Sequence, residues 1–303
     1  MAGIAAFGLN LDVDFALPVD SRTSAELPER VAVSVGDGSA VGEAWSGAGI
    51  EVWRSRFGDG SVVVAERGQG GDYLITYGDH GRFHVGATGE SIVAAPRSPE
   101  TLEWQRFLLD TVTWWTALVR GRQLIHAAVV QLGKDVVALV GGTGAGKTTL
   151  ATELVLRGAT LFSDDLLCLT AGPIAYPGPP VMNVPAGRPG IERLGYVIAC
   201  FADPEPECWV AASRVATVAR VPTALVFLDR KPGGPRGATA VSITPLDLLP
   251  YVWAIPGADA EGDRFDVLAD LAGEVRSYVL RADALDAPGD LADVVERLVT
   301  CTA

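Results

Sequence analysis

Short apolar segments separated by glycine–aspartate turns dominate the first part of the chain. The turns include Gly36-Asp37-Gly38 and Gly58-Asp59-Gly60. Segments rich in aromatic and β-branched residues between such turns are typical of antiparallel hairpins. The segments are residues 4–15, 31–35, 50–57, 62–65, 73–77 and 82–85. We therefore predict a β-rich N-terminal domain over residues 1–97. His80 and His84 are predicted to lie at its surface, because two histidines alone make a poor metal site.

From Ser98 onwards the hydrophobic pattern changes to helical segments that alternate with short apolar strands. Ser98 and Pro99 are typical of a helix start, and apolar residues at helical spacing follow as far as Val119. The predicted strands are residues 124–132, 136–140, 160–162, 210–215, 224–228 and 277–280, and the predicted helices are 149–157, 247–253, 264–274 and 291–299. Residues 176–190, rich in proline and glycine, predict an irregular loop, and residues 191–201 a partly helical segment. The mixture predicts an α/β domain over residues 98–303 behind the β-rich domain.

Composition and charge limit the partners and the cellular location that we expect for the protein. The chain has 303 residues, 49% of them hydrophobic, and a net charge of −13. An acidic chain repels nucleic acid and anionic membranes, so neither is an expected partner. No signal peptide and no apolar run of about twenty residues is visible, which predicts a cytoplasmic protein. The four cysteines lack metal-site spacing and are expected to be reduced thiols. The sequence leaves homo-oligomerisation open.

One segment carries a specific chemical signature. The pattern G-x-x-x-x-G-K-[ST], the Walker A or P-loop motif, is matched by Gly141, Gly142, Thr143, Gly144, Ala145, Gly146, Lys147 and Thr148. A predicted strand precedes the motif and a predicted helix follows it, which is the context that supports the match. Backbone N–H groups of the loop, with Thr149 in the following turn, are predicted to bind the phosphates of ATP. Lys147 is predicted to reach the terminal phosphates and Thr148 to bind Mg²⁺.

A P-loop alone predicts nucleotide binding but not which reaction follows, so we look for further residues that could bind metal or act in catalysis. Asp164 and Asp165 follow the strand that comes after the P-loop helix. A carboxylate there can hold Mg²⁺ or accept a proton from an attacking hydroxyl. His126 lies within an apolar strand, where a lone histidine is usually a core residue. Asp229 ends a hydrophobic strand, but Arg230 follows it instead of a glutamate, so we interpret both as a strand end leading into a turn.

The arrangement of these residues resembles the catalytic core of HPr kinase/phosphorylase. The resemblance covers Leu124 to about Leu169 and is carried by His126, the P-loop and Ser163-Asp164-Asp165 at matching spacings. It implies an α/β P-loop kinase core of the HPr kinase/PEP carboxykinase type. It also implies that Asp165 is the acid/base with His126 beside it, that Lys147 is catalytic, and that Thr148 and Asp164 hold the metal.

A nearer resemblance is to HPr-kinase-like proteins outside sugar transport, including the serine kinases of lasso-peptide gene clusters. They share an opening like Phe7-Gly8-Leu9, a proline-rich stretch like Tyr176-Pro177-Gly178 and a strand like Phe227-Leu228-Asp229-Arg230. The glutamate–arginine segment of the HPr enzymes has no clean counterpart here, Gly187 to Arg193 being nearest in position. This difference argues against a second metal ligand and against the reverse phosphorylase reaction. The N-terminal region does not resemble the regulatory domain of the HPr enzymes, so HPr itself is a poor candidate for the substrate.

Three hypotheses follow from the sequence. The first is an ATP- and Mg²⁺-dependent kinase acting on a hydroxyl of a peptide or protein, such as a serine of a precursor peptide. The second is a kinase for a small hydroxylated metabolite on the same machinery. The third is a nucleotide-binding regulatory ATPase with no acceptor, for which a base aimed at an acceptor is unnecessary.

Overall fold

The structure of the chain is a computed structural model, and it describes residues 2–20, 29–45, 47–56, 60–202, 206–233, 236–255, 261–283 and 286–300. The chain forms two compact units, of which the first comprises Met1–Arg122, Phe201–Pro206 and Ala254–Asp259 and the second comprises Gln123–Cys200, Glu207–Trp253 and Ala260–Ala303. Residues 98–122 therefore group with the first unit, and a domain boundary at residue 97 stays a prediction. The predicted turn at Gly58-Asp59 and Cys301 lie outside the described residues.

The first unit contains an eight-stranded sheet with the strand order β1-β2-β3-β8-β7-β6-β5-β4. Its strands are β1 Ala2–Ala6, β2 Leu9–Val13, β3 Arg30–Val35, β4 Ile50–Arg56, β5 Val62–Arg67, β6 Tyr73–Tyr77, β7 Gly81–Val85 and β8 Ser91–Pro96. Strands β4 to β8 pair antiparallel in sequence order, which confirms the predicted hairpins in this part of the chain. The predicted turn Gly36-Asp37-Gly38 leads instead into a helix, because the Asp37 side chain accepts from the N–H groups of Ser39 and Ala40. In contrast, β3 runs parallel to both of its neighbours, because long connections allow parallel pairing where tight turns do not.

The helices of the first unit differ from the prediction, since one occupies a predicted turn and the helix predicted from Ser98 begins later. They are α1 Gly38–Ala44, α2 Glu103–Phe107 and α3 Thr113–Val119, with a π-helical turn at Leu108–Val112 between the last two. The backbone N–H of Thr101 donates to the carbonyl of Ser98 over 3.1 Å. This closes a separate turn, so Ser98 does not cap a helix and the helix begins at Glu103.

The predicted surface position of His84 is wrong. Its side chain is buried, and its Nε2 lies 3.0 Å from Oδ2 of the buried Asp72. Strand alternation places His84 on the face of β7 opposite Phe83, and the Trp45 ring at the end of α1 covers that face. The hairpin pattern predicts the strand, but not that both faces of the sheet are covered.

The second unit is built on a nine-stranded mixed sheet with the order β13-β12-β9-β10-β17-β20-β18, in which β11 and β19 also pair with β9. Its strands are β9 Gln123–Leu132, β10 Asp135–Val140, β11 Thr160–Ser163, β12 Leu166–Thr170, β13 Ile174–Tyr176, β14 Val181–Pro185, β15 Gly195–Phe201, β16 Glu207–Ala212, β17 Ala224–Arg230, β18 Gly237–Val241, β19 Val252–Trp253 and β20 Arg276–Ala282. Strands β14, β16 and β15 form a separate three-stranded sheet.

Helices cover both faces of the nine-stranded sheet. They are α4 Lys147–Leu156, α5 Pro245–Leu248, α6 Glu261–Glu274 and α7 Pro288–Thr300. Along β9, Ala128 and Val130 pack in the cluster that holds α4 and α7, while Ile125, Ala127 and Val129 pack in the opposite cluster with α6. Burial on both faces explains why β10 is an uninterrupted apolar run. The chain is thus a mixed α/β, sheet-rich protein, and no helix in its described ranges is both long and apolar enough to cross a membrane.

Four predictions for the second unit need correction. The helix predicted over residues 247–253 ends at Tyr251, because Val252 and Trp253 form β19 and pair with β9. Residues 176–190 are not wholly irregular, because they contain β14, which pairs with β16. Residues 191–201 hold only one 3₁₀ turn, Ile191–Arg193, and are otherwise strand β15. Cys200 and Cys208 are not reduced thiols but a disulfide that joins β15 to β16. Neither the strand pairing nor this cross-strand bond leaves a local signal in the sequence.

Candidate active site

The candidate site is centred on the glycine loop, defined as residues 141–146 between β10 and α4. Gly144 and Gly146 have φ angles of 78° and 90°, a conformation that L side chains rarely adopt. The N–H of Ala145 donates to the carbonyl of Gly142 over 3.1 Å, which closes a turn at the exposed tip. Sharp turning of the backbone therefore explains the spacing of the glycines.

The helix that follows the loop presents an open N-terminus. Helix α4 begins at Lys147 after Gly146, and no side chain in the described part of the chain caps it. The first intrahelical bond is donated by Leu150 to the Gly146 carbonyl, so the N–H groups of Lys147, Thr148 and Thr149 precede the first full turn. These donors and the helix dipole make this end of α4 suited to an anion.

Lys147 is buried beside two carboxylates. Only 6% of the residue is exposed, and its Nζ donates to the carbonyl of Gly142 over 3.1 Å. Burial lowers the pKa of Lys147 below its ordinary value, while the negative charges of Asp165 and Asp164 oppose that shift. The predicted lysine and the two predicted aspartates therefore share one electrostatic environment.

His126 and Asp165 meet across two paired strands. His126 lies opposite Leu166 in the register of β9 with β12, and the N–H of Ala127 donates to the carbonyl of Asp165 over 3.1 Å. This pairing brings His126 Nε2 to 3.3 Å from Asp165 Oδ1. Alternation along β9 places His126 on the same face as Ala128, which is the face that α4 covers.

The Asp165 carboxylate is kept ionised by its neighbours. Partial loss of surrounding water would raise its pKa, but the hydrogen bond with His126 and the positive charges of His126 and Lys147 outweigh that effect and lower it. The side chain is 69% exposed, so water still reaches the carboxylate and we regard the His126 contact as the deciding influence. An exposed carboxylate at the end of a strand can receive a proton from a group that arrives from solvent.

Asp164, in contrast to Asp165, is buried. It is 8% exposed, and its Oδ2 accepts a hydrogen bond of 2.7 Å from the backbone N–H of Asn183 in β14. The sequence does not predict a role for Asn183, since it lies in the segment predicted to be an irregular loop. Its apolar neighbours Val181, Met182 and Val184 form too short a run, bounded by Pro180 and Pro185, to identify a strand. Strand β14 thus fixes the orientation of the first aspartate.

The residues present are compatible with a magnesium nucleotide. No group of three or more His, Cys, Asp or Glu side chains suited to a metal occurs within the described ranges. A nucleotide-bound Mg²⁺ does not require one, because it keeps several waters and takes one or two protein ligands plus phosphate oxygens. Thr148 in the first turn of α4 and Asp164 are the side chains that would hold it.

Together, the fold and the site define a mixed α/β protein with a strand–glycine loop–helix unit flanked by a lysine, a histidine and two aspartates. No family model matches the sequence, and no curated protein matches it significantly. Among solved structures, the Hpr(Ser) kinase/phosphatase from Coxiella burnetii is similar to this protein. The match covers 59% of the present chain and 95% of the Coxiella chain, with 14% sequence identity and a TM-score of 0.32. We draw no functional conclusion from a likeness of this strength.

Proposed function

We propose that this protein is an ATP- and Mg²⁺-dependent kinase that transfers the γ-phosphate to a hydroxyl group, most favourably a serine of a peptide or protein. The observation that carries the proposal is the His126–Asp165 pair, which lies 3.3 Å apart and shares its electrostatic environment with Lys147. A protein that only binds nucleotide has no need of such a carboxylate, and the 69% exposure of the Asp165 side chain favours an acceptor larger than the water that a hydrolase would use.

Each residue of the site has a distinct role in the proposed transfer. The loop amides and Lys147 bind the phosphates, which are stronger acceptors than the Gly142 carbonyl that Lys147 contacts. Thr148 and Asp164 hold Mg²⁺, which neutralises charge on the phosphate oxygens when bound. Asp165 accepts the proton of the acceptor hydroxyl as that oxygen bonds to phosphorus, and His126 holds the carboxylate in place.

The lowered pKa of Asp165 fits a late proton transfer. A carboxylate with a low pKa is too weak a base to ionise a free hydroxyl. In a loose phosphoryl-transfer transition state the attacking oxygen becomes acidic only as its bond to phosphorus forms. Asp165 then needs to be ionised and correctly oriented, and both conditions follow from its contact with His126.

The exposure of Asp165 favours a peptide or protein acceptor over a small metabolite. Small-molecule sites are usually concave and bury most of their ligand. Asp165 keeps 69% of its side chain exposed, so a hydroxyl on a large partner can approach it. The class of acceptor that this geometry supports includes the precursor peptides expected from the sequence resemblance, and it gives no reason to expect nucleic acid or membrane partners.

The test compares Asp165→Asn with Asp229→Asn. The protein is incubated with MgATP and serine-containing peptides encoded near its gene, and phosphopeptide is measured by mass spectrometry. Asp165→Asn should retain nucleotide binding and lose about 100-fold or more of the transfer rate, which is the usual contribution of a general base. Asp229 pairs with Lys231 over 3.0 Å and should tolerate the change.

Two results would contradict the proposal. If Asp165→Asn transfers phosphate at the wild-type rate, Asp165 is not the base. If the wild-type protein binds MgATP but passes phosphate only to water with every peptide tried, the regulatory ATPase becomes the better interpretation. Phosphorylation of small hydroxylated compounds but not of peptides would support the second hypothesis instead.

A further inference from the structure

Arg230, the last residue of β17, lies beside the glycine loop. Strand β17 runs parallel to β10, and Val140, the last residue of β10, is opposite Phe227. The remaining residues of β17 therefore continue past the point where β10 turns into the loop. An ideal Cβ on Gly141 would lie 3.5 Å from the carbonyl oxygen of Leu228, which shows how closely the two backbones approach.

The alternation of side chains along β17 determines the face of the sheet on which the Arg230 side chain lies. Leu228 packs against the core cluster that contains α4 and α7, whereas Phe227 packs against the cluster on the other face. Arg230 is two residues beyond Leu228, so its side chain projects on the face of the sheet that α4 covers. That is the face on which the phosphate-binding end of α4 lies.

The guanidinium group reaches the last glycine of the loop. Arg230 Nη1 lies 2.8 Å from the position that a Cβ on Gly146 would occupy, with Cδ and Cζ also within 4 Å. On its other edge, Nη2 donates to the carbonyl of Asp286 over 3.4 Å, a long and therefore weak bond. The side chain is half-buried and is positioned between the loop and the segment before α7.

On this geometry, and resting on the proposed function, we propose that Arg230 contacts the phosphates of the bound nucleotide. In a P-loop the backbone around the last glycine surrounds the α- and β-phosphates, whereas the lysine reaches the β- and γ-phosphates. An arginine beside Gly146 therefore acts on the diphosphate part that ATP and ADP share. It supplies charge-assisted donors where negative charge accumulates on the leaving ADP as the bond between the β–γ bridging oxygen and the γ-phosphorus breaks.

A second positive charge beside the glycine loop would offset the negative charge that surrounds the nucleotide phosphates. The chain has a net charge of −13, and Asp164 and Asp165 lie in the same environment as Lys147. A nucleotide phosphate group entering this acidic surrounding is repelled unless local cations compensate. Lys147 provides one such cation, and Arg230 provides a planar one that can bind two oxygens at once.

A purely structural role for Arg230 makes different predictions. In that case, Arg230 would only support the segment around Asp286, and loss of its charge would affect folding but not nucleotide selectivity. Arg236 offers a matched control, because it is 70% exposed and pairs with Asp286 Oδ1 over 2.7 Å on the same segment. Arg236→Gln removes the same charge from that segment without touching the loop.

The experiment measures affinity for MgADP and for AMP by isothermal titration calorimetry in the wild type, Arg230→Gln, Arg230→Lys and Arg236→Gln. Arg230→Gln should weaken MgADP binding about 10- to 100-fold, the range for one charged hydrogen bond. Its effect on AMP, which lacks the β-phosphate, should be clearly smaller. Arg230→Lys should recover part of the loss, and Arg236→Gln should bind MgADP like the wild type. Circular dichroism checks the folding of each variant, and Arg230→Lys carries the test if Arg230→Gln does not fold.

Separate outcomes overturn the inference and the proposed function. If the wild type binds MgADP and Arg230→Gln binds it within about two-fold, Arg230 does not contact the phosphates and the proposed kinase stands. Equal weakening by Arg230→Gln and Arg236→Gln also overturns the inference, because the effect then comes from the Asp286 segment. If the wild type binds no nucleotide at all, the proposed function fails and the inference fails with it.

Discussion

Replacing Asp164 separates its structural role from its proposed metal role. The buried carboxylate accepts the N–H of Asn183 over 2.7 Å and so ties β14 to the end of β11. Asp164→Ala leaves that donor without this acceptor, whereas Asp164→Asn keeps a carbonyl oxygen at the same position. The two variants are alike in having no carboxylate and differ in whether they can accept the hydrogen bond.

The magnitudes follow from the type of hydrogen bond. A buried donor that loses its partner costs about 1–3 kcal/mol, so Asp164→Ala should lower the free energy of unfolding by about 2 kcal/mol. Asp164→Asn replaces a charged acceptor by a neutral one, a difference of about 1 kcal/mol. Both variants also lose the attraction between this carboxylate and Lys147, so that loss does not affect the comparison between them.

Two measurements test this prediction. Urea unfolding gives the free energies, and hydrogen exchange of peptides covering residues 181–185 reports on the Asn183 amide directly. Exchange should accelerate in Asp164→Ala more than in Asp164→Asn. Both variants should lose the Mg²⁺ dependence of ATP binding to the same extent, with Asp229→Asn as the control. Equal destabilisation by the two substitutions would refute the hydrogen-bond argument, and full Mg²⁺ dependence in Asp164→Asn would refute the metal role.

Two further predictions concern the loop and the base. Gly146→Ala should destabilise the protein by about 1–2 kcal/mol, because φ is 90° there and the new Cβ would meet Arg230 Nη1 at 2.8 Å. Gly142→Ala should unfold like the wild type, since nothing lies within 4 Å of its ideal Cβ; equal thermal unfolding of the two variants would contradict the argument. The pKa of Asp165 lies below its ordinary value of 3.8, so the carboxylate should be ionised throughout the neutral range. Its contribution to the free energy of unfolding should be lost only as the pH falls through that lowered pKa. An NMR titration of Asp165 with a midpoint above 3.8 would contradict this.

The elements around the loop could be predicted because their signals are local. Strand β10 is buried on both faces and therefore appears as an unbroken apolar run from Val136 to Val140. Helix α4 ends before Gly158, whose φ of 112° suits a glycine after a helix. Each of these features depends on residues within a few positions of one another, which is the range over which a sequence pattern is informative.

Features that depend on distant pairing could not be predicted. Strand β14 follows Pro180 and ends in Pro185, and it is stabilised by pairing with β16 rather than by its own sequence. The same pairing positions Asn183 beside Asp164, and the Cys200–Cys208 disulfide joins β16 to β15 on its other side. His126 was placed at the site by resemblance, since an isolated histidine in an apolar strand is usually a core residue. The register of β9 with β12 then accounts for its contact with Asp165, although its catalytic role stays a prediction.

The contrast between Asp164 and Asp165 is the strongest physical argument for transfer to an acceptor. Adjacent carboxylates with different surroundings can take different roles, because environment and not residue type sets their chemistry. Asp164 is 8% exposed and its Oδ2 is held by a backbone N–H, so it has less access to a large acceptor than Asp165 has. Asp165 is 69% exposed and held by a histidine, so it can meet such a group while staying ionised. Hydrolysis needs only a water at the γ-phosphate, and water could reach a buried base through a narrow opening. An accessible carboxylate next to a buried one is the arrangement that the proposed transfer to a hydroxyl on a peptide or protein requires.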